Sequence, residues 1–90
     1  MTMLMTHNGR KIVMTKTGAV CPLTTHLINA PLFRLPVEPT DSNGLKSLSQ
    51  MMLDKISTLK KEKIGKKIGT LEEAQINDLN TAIKLWLDLQ

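Results

Sequence analysis

Aromatic side chains are almost missing from these 90 residues: Phe33 and Trp86 are the only two, and Tyr is absent. Platforms on which nucleic-acid bases could stack are therefore nearly absent, and Leu, Ile and six Met are left to fill a core. The single cysteine, Cys21, closes no intramolecular disulfide, which excludes a disulfide-stapled secreted scaffold and fits a reducing cytoplasm. Apolar runs are short, as in Ala19-Val20-Cys21-Pro22-Leu23. They fall far below the roughly 20 residues of a membrane span, and Ile12-Val13-Met14 after Arg10 and Lys11 is too short for a signal peptide. Two His and one Cys, with no CxxC, HxxxH or acidic loop, argue against structural zinc. Neither GxGxxG nor GxxxxGK[ST] occurs, which excludes kinase and NTPase chemistry. No cofactor is expected.

What is present is enough for one core, so residues 1–90 read as a single domain, with hydrophobic residues at 41% and charged residues at 22%. The net charge of +4 is concentrated: Lys55, Lys60, Lys61, Lys63, Lys66 and Lys67 stand together with one acid, Glu62, among them. Such a run is either a solvated face or a site that attracts a phosphate backbone.

Two short apolar runs, Lys11 to Met14 and Ala19 to Leu23, flank Thr15-Lys16-Thr17-Gly18 and predict a hairpin. Residues 1–9 form a segment of unassigned structure ending in the turn signal Asn8-Gly9. A third strand is expected over Leu32 to Val37, then a loop over residues 36–44, PVEPTDSNG. Leu45, Leu48, Met52, Ile56 and Leu59 recur at helical spacing. Ile64 to Leu71 predicts a turn and a strand. Thr70 with Glu73 forms a capping box that starts a final helix at Leu71, spanning 71–88, with Ile76, Leu79, Ile83 and Trp86 on its packing stripe.

Few residues gather as reactive groups. Cys21 and His26 are separated by an odd number of positions in an extended segment, which turns them to opposite faces. Thr24, Thr25 and His26 stand where a strand gives way to a loop. Two readings fit them: a phosphate site, or hydroxyls that satisfy local backbone groups beside an exposed histidine.

Thr17-Gly18-Ala19-Val20-Cys21-Pro22-Leu23-Thr24-Thr25-His26 resembles the TG-x-x-x-CPIT[ST] segment of the MazF/PemK family of toxins. Pro31-Leu32-Phe33-Arg34-Leu35-Pro36 is similar to that family's PFEVxLP strand, and Asp54-Lys55-Ile56-Ser57-Thr58-Leu59 to its DQ[VI]RTL. Ile64 to Leu71 resembles its IGKL turn and Ala82 to Leu89 its ALKxxLGL tail. The resemblance implies an α+β, mainly β fold: a small SH3-like, partly open β-barrel of the PemK/CcdB type with a packed C-terminal helix. It replaces the helix suggested from Leu45 onwards by strands and a short connection.

The activity so implied is that of a type II toxin–antitoxin toxin, a metal-independent, sequence-specific endoribonuclease of the cytoplasm. Its substrate would be single-stranded mRNA, and its protein partners a MazE/PemI-like antitoxin and a second copy of the chain. Carried over residue by residue, Arg10, Thr24 and Asp54 would be catalytic, and Thr25, His26, Lys55, Lys60 and Lys61 would hold RNA. The chain also departs from the family. It has no GDIWxVDL-type opening strand in sequence, Lys11 replaces the proline of GxRP, Met52 stands where PemK-like members have an arginine, and Lys55 replaces the DQ glutamine. These departures leave two alternatives: a truncated, non-catalytic member that keeps its dimer and antitoxin surfaces, or a basic nucleic-acid-binding module.

Overall fold

The computed structural model describes residues 2–15, 18–58 and 64–88. Within them the chain forms β1 (Met3–His7), β2 (Arg10–Met14), β3 (Ala19–Thr24), β4 (Arg34–Val37), β5 (Ser49–Met52), a 3-10 turn (Leu53–Lys55), β6 (Ser57–Thr58), β7 (Lys67–Thr70) and α1 (Glu73–Asp88). The strands lie in the order β4-β5-β3-β2-β1-β7, with β6 also on β3, and all pairings are antiparallel. The two end strands do not pair with each other, so the mainly β structure is a partly open barrel with one C-terminal helix.

The opening segment is a strand after all. Asn8 and Gly9 take φ of 51° and 76°, the left-handed pair of a two-residue type I′ turn, which matches the natural twist of a hairpin. It sets His7 opposite Arg10 and Leu4 opposite Val13. β1 then pairs with β7 on its other side. The opening strand that the sequence reads as lacking is therefore present: the family's motif is missing, but residues 3–7 form the strand and pair with β7.

β3 carries the main irregularity. Leu23 opposes Met51 and Thr24 opposes Gln50. Continued from there, Val20 would meet Asp54, yet it meets Ser57, three residues further on. The 3-10 turn Leu53–Lys55 takes up the difference. It bulges where Pro22 has no N–H to donate. The helical spacing from Leu45 is thus misleading: Leu48 is exposed, while the core residues here are Met51 and Leu53, at 0% and 2% exposure. β5, four residues long and buried on both faces, and the two-residue β6 show no alternation that could have opposed the false helical period.

Leu4, Val13, Cys21, Leu23 and Val37 come from successive strands to form the core, closed by Leu71 and Leu79. The strand expected from Leu32 begins at Arg34, because the N–H groups of Phe33 and Arg34 both donate to the Ala30 carbonyl and make a turn. The final helix starts at Glu73 instead of Leu71. Thr70 and Leu71 are still committed to sheet-side bonds, their N–H groups donating to the carbonyls of Ser42 and Thr2. The cap comes from Gln75, whose Oε1 accepts the Glu72 N–H at 3.2 Å. On the helix Leu79 is buried, and Ile76, Ile83 and Trp86 are half-buried. Trp86 meets Phe33 edge to face, with ring centroids 5.1 Å apart. No helix among the described residues is long and apolar enough to cross a membrane.

Candidate functional site

The fold holds two clefts of opposite character. The first, about 570 Å³, is lined by His7, Gly9, Arg10, Lys11, Ile12, Val20, Pro22, Leu23, Thr24, Thr25, Ser49, Met52 and Ser57. It collects three basic side chains and four hydroxyls, and among the described residues no carboxylate lines it. The second, about 630 Å³, lies between α1 and the 3-10 turn. Its walls are largely apolar, with Leu53, Ile56, Ile83 and Trp86, and Asp54 is its only charged residue among those described.

The first cleft follows from strand register. The Asn8-Gly9 turn fixes His7 across from Arg10, and directly opposed residues of an antiparallel pair present their side chains on the same face. β2 meets β3 with Ile12 opposite Pro22. The same register carried two residues on brings Arg10 to the level of Thr24. The end of β3 then delivers hydroxyls beside a guanidinium, a lysine and an imidazole.

Thr24 is already oriented. Its Oγ1 accepts the His26 N–H at 3.0 Å, so the local-backbone reading of this hydroxyl holds. That bond uses an acceptor lone pair and leaves the hydroxyl proton available to donate, which suits an anionic oxygen in the cleft. The arrangement can bind a phosphate, neutralise developing charge with Arg10 and exchange a proton through His7.

Of the residues singled out from sequence, the fold brings Arg10, Thr24 and Thr25 together here. Asp54 is carried to the apolar cleft by the three-residue bulge. His26 and Lys55 are exposed and line neither cleft. Lys60 and Lys61 lie outside the described residues. Sequence reasoning missed His7, Lys11, Ser49 and Ser57. The signal for His7 was available, since a two-residue Asn-Gly turn pairs the residues that flank it. Ser49 depends on the β3–β5 pairing and Ser57 on the shifted register beyond the bulge, neither of which anything local announces.

Cys21 is not a nucleophile. It is 2% exposed, its thiol donates to the Met52 carbonyl at 3.4 Å, and burial, followed by the nearby Asp54 charge, pushes its pKa from 9.0 up to about 12. A thiolate is thus absent near neutral pH. Among the described residues no three His, Cys, Asp or Glu side chains gather as a metal site.

Comparison with known proteins bears on this geometry. The family model described as PemK-like, MazF-like toxin of type II toxin–antitoxin system matches residues 7–87. A probable endoribonuclease MazF of Mycolicibacterium smegmatis is 32% identical over 75 residues, covering 83% of this chain and 69% of that protein. Among solved structures, the Mycobacterium tuberculosis toxin MazF-mt6 superposes with a TM-score of 0.76 at 23% identity, over 99% of this chain and 97% of the other. A mycobacterial endoribonuclease in complex with its cognate antitoxin gives 0.72 at 23% identity, over 99% and 92%. At that identity the structural likeness is one of fold.

Proposed function

The chain belongs to the PemK-like, MazF-like family of type II toxin–antitoxin toxins, and from that premise we propose that it is a metal-independent endoribonuclease that cuts single-stranded mRNA in the cytoplasm. The observation that carries this reading is the cleft in which Arg10, Lys11, Thr24, Thr25 and His7 converge, lined by no carboxylate among the described residues. The opening strand β1 supports an active enzyme over a truncated remnant, because it supplies His7 and aligns Arg10.

RNA cleavage without metal uses the ribose 2′-hydroxyl as nucleophile. The oxygen attacks the adjacent phosphorus, the bond to the 5′-oxygen breaks, and the products are a 2′,3′-cyclic phosphate and a 5′-hydroxyl. Protein groups must accept the 2′-hydroxyl proton, protonate the leaving oxygen and stabilise the phosphorane charge. The 2′-hydroxyl requirement selects RNA over DNA. Thr24 donates its hydroxyl proton to a phosphate oxygen, Arg10 balances the charge, and His7 is the acid–base group within the cleft. Thr25 and His26 guide the strand, and Lys11, Lys55, Lys60 and Lys61 attract its backbone. Asp54 stands in the neighbouring cleft, and its share in the chemistry is measured by substitution.

Two protein partners belong to the same reading. A cognate antitoxin with an acidic segment fits the basic cleft, with apolar contacts supplied by exposed Leu27 and Ile28 in the segment that follows Thr25. A second copy of the chain covers Leu85 and Leu87, which are 51% and 60% exposed beside Trp86.

The test is incubation of purified protein with a long single-stranded RNA in EDTA, followed by mapping of the ends. Discrete cuts ending in 2′,3′-cyclic phosphate are expected. Intact RNA from folded protein would favour the non-catalytic alternative.

A further inference from the structure

The segment after Thr24 is held by side chains that the cleft itself does not contain. Residues 25–29 belong to no strand, since β3 ends at Thr24 and β4 starts at Arg34. Yet Gln50 reaches them from β5. Its Oε1 accepts the Ile28 N–H at 3.1 Å and its Nε2 donates to the Ile28 carbonyl at 2.9 Å. This two-way exchange copies a rung of a β-ladder with a side-chain amide. Arg34 tightens it: Nη1 donates to Gln50 Oε1 at 3.2 Å and to the His26 carbonyl at 3.3 Å. The His26 N–H in turn donates to Thr24 Oγ1. Both peptide groups of His26 are thereby tied, one to Arg34 and one to Thr24.

The geometry points to Gln50 and Arg34 as positioning residues that fix the Thr24 hydroxyl and the path of residues 25–28 along the RNA cleft. The inference rests on the endoribonuclease reading and extends it to two residues outside the cleft. Gln50 is 9% exposed and directly opposite Thr24 in the β3–β5 ladder. A buried amide is costly unless its groups are bonded, and here its oxygen and its nitrogen both bond the Ile28 peptide groups of the loop, with Arg34 of β4 adding a second donor to the oxygen. An apolar residue at position 50 would fill the same space in β5 without ordering the loop. Arg34 is suited to its part because one planar guanidinium spans two acceptors, which a lysine does less well.

The consequence is separable from stability. With the clamp removed, the segment samples other conformations, the Thr24 hydroxyl leaves its aligned position, and transition-state contact is lost more than ground-state attraction, which comes from lysines elsewhere. Gln50→Met keeps size and apolar packing and removes all three side-chain bonds. Gln50→Glu keeps an acceptor for Ile28 and Arg34, but loses the donor and sets a carboxylate oxygen against the Ile28 carbonyl.

The experiment measures cleavage rate, KM and the spectrum of cut sites for wild type, Gln50→Met, Gln50→Glu and Arg34→Gln, with amide hydrogen exchange at His26 and Ile28 on the same samples. For Gln50→Met the expectation is a fall in kcat of about tenfold or more, a KM within about threefold, a wider set of cut sites and faster Ile28 exchange. Gln50→Glu should also lose kcat and speed Ile28 exchange, because its carboxylate repels the Ile28 carbonyl that the amide bonds. Arg34→Gln, which leaves β5 untouched, keeps the inference testable if Gln50→Met fails to fold, and it should show the same kcat loss. Unchanged rates and cut sites in variants with fast Ile28 exchange would overturn the positioning role. A wild-type protein that leaves RNA intact would overturn the functional reading, and this inference with it.

Discussion

At Cys21 burial decides chemistry. A thiol pKa of about 12 in the fold against 9.0 for the free group means that the folded state holds its proton more tightly than the unfolded chain. The linked stability is complete below pH 9 and is lost as pH rises from 9 towards 12. Urea unfolding across that range should show the decline, and a shallower one for Cys21→Ala; iodoacetamide should label wild type only once it is unfolded. Residues in the basic cleft answer to activity instead. Arg10→Ala is expected to lower cleavage by about 10²-fold or more, and His7→Ala by about 10²-fold. Asp54→Asn should leave most of the rate, because the 3-10 bulge turns it to the other cleft. A single-turnover assay separates these outcomes, and equal losses for His7→Ala and Asp54→Asn would return Asp54 to the chemistry. Asn43 works structurally. Fully buried, it accepts the N–H groups of Thr40 and Leu45 and donates to the Glu38 carbonyl. Asn43→Ala should cost about 2 kcal/mol or more, a drop in Tm of roughly 10 °C.

Among the elements, the β1–β2 hairpin links stability to function most directly. Gly9 at φ 76° accepts a conformation that strains any branched side chain. Gly9→Val is therefore expected to destabilise the protein by about 1–2 kcal/mol. It should also lower cleavage by more than the unfolded fraction explains, since the turn aligns His7 with Arg10. Circular dichroism and cleavage on one sample test this. β7 illustrates a different constraint. A Cβ at Gly69 would lie 2.5 Å from the Ser42 carbonyl oxygen and from the Asn43 backbone, so the glycine permits the strand to pass against the loop that Asn43 organises. The helix is tied into the same region through Gln75, which caps α1 and also donates to the Glu38 carbonyl.

For the whole molecule, the two clefts divide the work between charge and apolar surface. If α1 and its cleft meet a second copy, Leu87→Glu should turn a dimer into a monomer by sedimentation at micromolar concentration, with the far-ultraviolet spectrum kept. The sequence by itself was sufficient for the class of protein: motifs from residue 17 to 89 stand in family order. The β2–β3 hairpin, the last strand and the helical stripe were legible because alternation, turn residues and periodicity are local properties. Thr24 and Thr25 were legible from their motif, and Arg10 from its likeness to the GxRP strand in which Lys11 replaces the proline. The rest was not, for non-local reasons. Whether Leu45 to Leu59 is helix or strand depends on what buries Met51 and Leu53. The helix start depends on whether Thr70 is claimed by the sheet. Asp54 and Ser57 are three residues apart in sequence, yet a register shift against β3 sends them to different clefts. Tertiary structure alone decided those matters, because register and bulge position are set by partners distant in the chain, and a missing N–H at Pro22 acts on residues 30 positions away.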